Sequence, residues 1–586
     1  MMVSAIVIPT SIPERCERWR DLDDSPGPVT ASHFALRYSS RSDVTMISAR
    51  KYNTQVLMDI THATDSFATL TMNPVGVRKD GSGWRFRRAE ERQMAEFKNF
   101  INGKWVEAAD GAEFERRNPA TGEVVGTFAK SSAQDVNSAV QAAHDAFQKW
   151  RLYPAPRRGE ILYRVGQMMI ERKESLAREM TEEMGKVLAE ARGDVQEAID
   201  MTFYMAGEGR RMWGQTTPSE LPNKWNMSVR KPLGVVGVIT PWNFPLAIPT
   251  WKIMPALVTG NTVVFKPASY TPRMAVRLVE LFEEAGLPRG VLNLVMGSGE
   301  TIGETLIKHP DVELISFTGS TETGLQVSVE GAKLMKRVSL EMGGKNAIIV
   351  MDDADLDLAV EGILWSAFGT SGQRCTAASR VIAHKAIQRK LVDRLADRAG
   401  GMRLGYGLQE MVDVGPLVSE TQLEKVQSYV DIGRREGAQL VVGGRIAREG
   451  ELASGHFYTP TVFNNVWPNM RIAQEEIFGP VTAVIPVSSL DEAINVANGV
   501  QYGLSASIYT KNVNNAFHAM QDIYTGILYV NAGTIGAEIH LPFGGTKATG
   551  NGHREAGQAA LDVFTEWQSI YIDYSGKLQR AQIDVE

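Results

Sequence analysis

In "RRGEILYRVGQMMIERKESLAREM" the apolar residues return every three or four positions, which predicts an amphipathic helix over residues 157–184. The same rhythm predicts helices over 133–150 and 186–211. From residue 234 the pattern shortens into apolar runs: "GVVGVIT" (234–240), "NTVVFKP" (261–267), "VLNLVMG" (291–297) and "LISFTGS" (314–320). Helical stretches at 249–257, 272–285 and 301–308 separate these strand-like runs. Strands spaced by helices imply right-handed crossovers and a parallel sheet, with ligands at the carboxyl ends of its strands.

A second α/β unit begins at "NAIIVMDDADLDLAV". It is read as a helix over 356–368, the strand "SRVIAH", a helix over 386–399, and strands near Thr461 and Val481. Two other stretches, 219–234 and 562–574, alternate apolar and polar residues. They suit edge strands that pair across a subunit boundary, or hairpins packed within the chain. The first ninety-odd residues mix charges, Ser and Pro without sustained periodicity, and read as a loosely ordered extension rather than a functional module. Early acidic residues set that stretch apart from a signal or transit peptide.

A chain of 586 residues exceeds one core, so two or three domains are expected. A net charge of −6 argues against a nucleic-acid surface, and no apolar run reaches membrane-spanning length. The only cysteines, Cys16 and Cys375, make no disulfide framework, which fits a reducing, cytoplasmic setting. Nine scattered histidines show no metal-ligand spacing.

Cys375 lies in "GTSGQRCTAAS", among Gly, Gln, Arg and Thr rather than in an apolar run. That setting suits an exposed, stabilised thiolate. Other candidate chemistry sits at predicted strand ends. Gly297-Ser298-Gly299 with Gly303 misses the dinucleotide fingerprint by one residue and reads as a tight turn before a helix. "SFTGSTETG" runs from a strand through Gly319 and Ser320 into a helix carrying Gly324, which suits a phosphate or a plain Ser N-cap. In "TPWNFP", prolines flank Trp242, Asn243 and Phe244, so Asn243 is either an oxyanion donor or a turn residue. Lys266 ends a strand, where it meets a ribose or phosphate or is simply solvated. Glu341 stands 34 residues before Cys375 at another strand end, facing the same cleft or serving a turn. One of Glu475 and Glu476 is expected to be buried against Phe478.

Taken in order, "PWNFP", "FKPAS", "SFTGSTETG", "EMGGKN", "GQRCTA", "EEIFGPV" and "PFGGTKATGNGHRE" resemble the aldehyde dehydrogenase superfamily from about residue 99 to 574. The resemblance implies an α/β fold with a Rossmann-type nucleotide-binding domain (96–218 and 235–344) and an α/β catalytic domain (345–545). It also implies a β-rich oligomerisation arm (219–234 and 546–586), leaving 1–95 as an extension, and a homodimer or homotetramer. It makes Cys375 the nucleophile, Asn243 with the Cys375 N–H the oxyanion donors, and Glu341 the general base. Lys266 and Glu476 would take riboses, Trp242, Gly319, Ser320 and Gly324 the pyrophosphate region, and Phe478 the nicotinamide. Ala532, Gly533 and Thr534 fall in the substrate-anchoring loop.

Many NAD-preferring relatives carry Glu where this chain has Ser269, so NADP is expected to be accepted, with NAD possible. Arg374, beside the nucleophile, resembles relatives that oxidise carboxylate-bearing semialdehydes such as 2-oxoglutarate and aminoadipate semialdehyde; alternatively it points away to a structural acid. Phe244 is grouped with it on the substrate side. Oxidation of uncharged aldehydes is the alternative activity. A thiol hydrolase or acyltransferase is the alternative from another class, and it needs a histidine base such as His384.

Overall fold

The structure is a computed structural model that describes residues 95–583. Cys16 and nearly all of the expected extension lie outside the described residues.

The apolar runs form the centre of a seven-stranded sheet. Its order is Arg337–Glu341, Val312–Thr318, Val235–Ile239, Thr262–Lys266, Leu292–Leu294, Asn99–Ile101 and Lys104–Val106. The first five are parallel and the last two antiparallel. Strand Val235–Ile239 is continued on one side by Thr262–Lys266 and on the other by Val312–Thr318, so the winding direction reverses beside it. Such a switch point leaves a crevice at the carboxyl ends, where Thr240 to Asn243, Lys266, Gly319 and Glu341 all emerge. Helices cover both faces. Ile253, Met254 and Leu257 are fully buried on one side, and Val136, Ala139 and Val140 on the other.

The predicted helix over 157–184 is two helices, Ala155–Glu171 and Lys173–Met184, broken at Arg172 with φ −104°. Apolar periodicity continues across the break, so the pattern runs on where the backbone does not. Helix 301–308 is a wide turn, Gly299–Gly303, followed by Glu304–Lys308. Ser298 caps its start through the Thr301 N–H, the tight turn read from the near-miss fingerprint.

A second seven-stranded sheet runs Gln439–Val442, Thr461–Asn464, Val481–Val487, Ala378–His384, Asn346–Val350, Ser505–Tyr509 and Ile527–Val530. All its pairings are parallel except that of the first two strands. Only Met342 to Lys345 separate the carboxyl end of Arg337–Glu341 from the amino end of Asn346–Val350. The crevice between the sheets is therefore walled by carboxyl ends of one and amino ends of the other.

The two alternating stretches pair with each other. Lys224–Pro232 and Thr565–Asp573 are antiparallel over nine residue pairs, and Thr216–Pro218 adds a third strand. Trp225, Trp567, Tyr571 and Ile572 remain exposed on this sheet. No helix among the described residues is long and apolar enough to cross a membrane.

Candidate active site

A cavity of about 380 Å³ occupies the crevice and brings together Trp242, Asn243, Lys266, Ser269, Gly319, Ser320, Cys375, Glu476 and Phe478. Residues more than two hundred positions apart thus share one wall. Gly299, Gln422 and Lys425 join them, and sequence reasoning did not single these out for the site.

The loop carrying Cys375 is held tightly. Thr370 and Ser371 both adopt left-handed backbone conformations, φ 51° and 56°, which bulky residues rarely take. Gly372 follows at φ +68°, where a Cβ would sit 2.1 Å from the Gly479 carbonyl oxygen. Side chains offset this strain: Glu190 accepts the Thr370 N–H at 2.6 Å, and Ser371 donates to the Gly415 carbonyl at 2.7 Å. Below the loop, Asn346 Nδ2 donates to the carbonyls of Cys375 (2.7 Å) and Ala377 (2.9 Å). Thr534 Oγ1 donates to the Thr376 carbonyl at 2.7 Å, so the expected anchoring loop braces the nucleophile loop from the side.

Cys375 is half-buried rather than freely exposed, and its thiol is pushed up to about 12. Burial is the main cause, then the carboxylates of Glu476 and Glu341; only the Thr376 N–H works in the other direction. The exposed, stabilised thiolate expected from this polar loop is therefore not what the free protein presents. Arg374 turns away: its Nε donates to Thr370 Oγ1 at 2.9 Å and its Nη2 lies 3.4 Å from Glu190. The guanidinium stacks over Phe244 at 5.3 Å and Trp365 at 5.1 Å. Phe244 also carries the buried Lys186 amine 4.1 Å from its ring centre, and it does not line the cavity.

The Asn243 main-chain oxygen accepts from Lys186 at 2.7 Å, while its carboxamide makes no hydrogen bond to any described residue. Glu341 is buried with both carboxylate oxygens unpartnered. It faces Gly544 rather than the main cavity. Burial first, and then Glu555, raise its carboxyl well above the ordinary range; Lys252 and Arg554 oppose them. Lys252 and Glu555 form a buried ion pair behind it, with Ser316 Oγ 3.2 Å from the lysine amine. Sequence reasoning missed this pair, whose members lie 303 residues apart.

Lys266 is buried except for an amine left without a partner, and burial lowers it to about 8. Glu476 Oε1 accepts the Gly344 N–H at 2.9 Å, and a Cβ on Gly343 would meet Oε2 at 2.3 Å. Glu475, by contrast, pairs outward with Arg471 at 2.8 Å. Phe478 adopts φ 59° and meets Trp242 edge to face at 5.4 Å. Ser320 caps the helix Thr321–Lys333 through the Thr323 N–H while also lining the cavity, so it is an N-cap on a wall. Gly324 does not reach the cavity: a Cβ there would strike Met342 Sδ at 2.3 Å, so it serves close packing of that helix. His384 ends its strand at the edge remote from Cys375, accepting from the Ala386 N–H and lying 3.1 Å from the Ser488 carbonyl. A cysteine–histidine pair is not formed there.

The profile described as "Aldehyde dehydrogenase family" matches residues 105–570. The chain belongs to the aldehyde dehydrogenase family. It is similar to the alpha-ketoglutaric semialdehyde dehydrogenase of Bacillus subtilis (strain 168), 44% identical over 81% of this chain and 97% of that protein. It is also similar to the alpha-ketoglutarate semialdehyde dehydrogenase of Haloferax volcanii, 43% identical over 81% of this chain and 99% of that protein. Among solved structures, betaine aldehyde dehydrogenase of Staphylococcus aureus in complex with NAD+ superposes with a TM-score of 0.81 at 35% identity, covering 83% of this chain and 96% of that one. As a member of the aldehyde dehydrogenase family the chain is an oxidoreductase that converts an aldehyde to the acid with NAD(P)+.

Proposed function

We propose that the aldehyde is a semialdehyde whose far end is a carboxylate, as in 2-oxoglutarate semialdehyde. The observation that carries this reading is Arg374: with Nε on Thr370 and Nη2 near Glu190, its Nη1 has no partner among the described residues. It lies one residue from the nucleophile and beside Phe244. The names of the two semialdehyde dehydrogenases at 43–44% identity support the same class.

In this reading the Cys375 thiol gives its proton to solvent and the sulfur attacks the aldehyde carbonyl, forming a carbon–sulfur bond as the C=O π pair moves onto the oxygen. The oxygen that becomes negative is taken by the free Asn243 carboxamide and the Cys375 N–H, a contribution typically worth about 100- to 1000-fold in rate. NAD(P)+, held by the residues named below, would supply the two-electron acceptor for the hydride lost from the aldehyde carbon as the carbonyl re-forms. The thioester left on Cys375 is then hydrolysed: Glu341 takes a proton from water, the hydroxide adds, and the thiolate leaves with release of the acid. For that, Glu341 turns from Gly544 towards the sulfur. Its raised pKa matches a base working near neutrality. Trp242, Gly319 and Ser320 receive the pyrophosphate region, Lys266 and Glu476 the riboses, and Phe478 packs at the nicotinamide.

Ser269 puts no carboxylate against a 2′-phosphate and Lys266 lies within the same cavity, so NADP is accepted. The acids Glu300 and Glu304 at the adjoining end keep NAD competitive. The exposed aromatic strip on the arm sheet is read as the surface through which subunits join into a homodimer or homotetramer. A catalytic free thiol needs a reducing compartment, which supports a cytoplasmic setting. No nucleic-acid partner is proposed for this acidic chain.

A kinetic panel tests the whole reading. Acid-bearing semialdehydes should exceed uncharged aldehydes of equal length in kcat/KM, and Arg374→Leu should raise KM for the former much more than for the latter. Equal effects on both would remove the carboxylate from the reading.

A further inference from the structure

Gln422 lines the nucleotide cavity, yet its side-chain amide is spent on the protein. Nε2 donates to two consecutive carbonyls, that of Phe478 at 2.8 Å and that of Ile477 at 3.2 Å. In an extended chain consecutive carbonyls point to opposite sides; in a helical turn of either hand they point the same way. Phe478 has φ 59°, and its left-handed backbone is what brings both oxygens within reach of one amide. A residue with a bulky side chain keeps that conformation only where its surroundings over-determine it.

Two elements press on this turn, the helix Glu420–Arg435 and the nucleophile loop. One helical turn beyond Gln422, Val426 leaves the residue after Phe478 no side chain: a Cβ on Gly479 would lie 2.3 Å from Val426 Cγ2. Gly372 of the nucleophile loop closes on the Gly479 carbonyl as well. Gln422 is itself held, since Ser419 Oγ accepts its main-chain N–H at 3.3 Å. Gln373 Oε1 accepts the Val418 N–H at 3.0 Å and ties the helix start to the nucleophile loop. Glu476, two residues before Phe478, has a separate tether in the Gly344 N–H at 2.9 Å. Gln422 therefore acts on Phe478, whose ring meets Trp242 on the cavity wall, and not on the carboxylate.

We propose that Gln422 is a positioning residue for the nicotinamide end of the cofactor: its amide locks Phe478 left-handed and so keeps the ring on the cavity wall. The proposal rests on the reading of Phe478 as the group that packs at the nicotinamide, and adds to it. Without the two N–H bonds the carbonyls of Ile477 and Phe478 face each other's side with no donor between them. Phe478 then relaxes towards extended backbone and carries its ring off Trp242. Glu476 stays where Gly344 holds it, so a ligand that stops at the ribose does not register the change.

The test is binding, not turnover. The Kd for NADH is read by energy transfer from the protein's tryptophans, and the Kd for ADP-ribose, which lacks the nicotinamide, by displacement of NADH. Gln422→Glu keeps the shape and puts an oxygen where the amide donates, so it should raise the NADH Kd on the order of tenfold near neutral pH and leave that of ADP-ribose unchanged. As the pH falls towards about 5 the introduced carboxyl gains a proton to donate, and the ratio of variant to wild-type NADH Kd should shrink. Gln422→Met, of similar volume, has no donor at any pH; its ratio should stay high throughout, and it serves should the first variant fold poorly. Phe478→Ala is the reference for loss of the ring. An NADH Kd that Phe478→Ala leaves unchanged overturns the nicotinamide reading and this proposal with it. A rise in Phe478→Ala that neither Gln422 variant shares, or a rise in those variants that ADP-ribose shares equally, overturns this proposal alone.

Discussion

Asn346, the first residue of a strand in the second sheet, holds the main-chain oxygen of Cys375 at 2.7 Å and leaves its own Oδ1 to the Ser505 N–H at 3.0 Å. One carboxamide thus ties the nucleophile loop to two adjacent strands. Asn346→Leu leaves the carbonyls of Cys375 and Ala377 and the Ser505 N–H unpaired, at about 1–3 kcal/mol for each buried group left bare. The expected outcome is a loss of kcat of at least tenfold with cofactor KM little changed, together with a lowered Tm. Steady-state kinetics and thermal unfolding check both.

The thiol of Cys375 should be slow to react in the free protein. Because burial and two carboxylates push it up to about 12, alkylation by iodoacetamide should climb with pH and show no plateau through pH 10. Glu476→Gln removes one of those charges and should move the whole profile to lower pH. A plateau near pH 8 in the unmodified protein would contradict this assignment.

Glu341 titrates in the field of the buried Lys252–Glu555 pair. Glu555→Gln removes the like charge and leaves Lys252 unopposed, so the Glu341 pKa falls and the acidic limb of the kcat–pH profile moves to lower pH. Lys252→Met does the reverse and moves the limb to higher pH. It also strands a buried carboxylate, at about 3–5 kcal/mol of stability. The two pH profiles, recorded under conditions where deacylation limits turnover, distinguish the signs.

Gly343 exists where it does because Glu476 lies against it. Gly343→Ala places a methyl group 2.3 Å from the original Oε2 position and should displace the carboxylate, raising cofactor KM by on the order of tenfold. In a Glu476→Ala background the same change should cost little, and that non-additivity is the measurement.

Much of this site is legible in the amino-acid sequence, and the reasons are local. Cys375, Glu341, Asn243 and Lys266 announce themselves through glycine- and proline-rich strand ends, where chemistry-bearing side chains face a crevice. The residues that escape are those whose partners are remote. Asn346 reads as one more polar residue until its acceptors 29 and 31 positions away fold beneath it. Lys252 sits inside an apolar helix with nothing nearby to pair with, and only the chain's far end supplies Glu555. Arg374 reads two ways in the sequence, towards a substrate carboxylate or a structural acid, and only the fold brings up Glu190 and Thr370 to hold two of its nitrogens. The break at Arg172 leaves no mark in the pattern, since neither proline nor glycine stands there.

The arm sheet has a bearing on biosynthesis. Arg230 on its middle strand binds Asp562 across 332 residues of chain, and its neighbour Thr565–Asp573 is among the last segments described. A ribosome has therefore added more than three hundred further residues before that middle strand finds its mate. Until then Lys224–Pro232 waits with one margin unzipped and its tryptophan bare, a template to which any extended nascent chain can anneal. Chaperone demand during translation should concentrate on this strand, and deleting its partner strand Thr565–Asp573 should yield inclusion bodies rather than a smaller working enzyme.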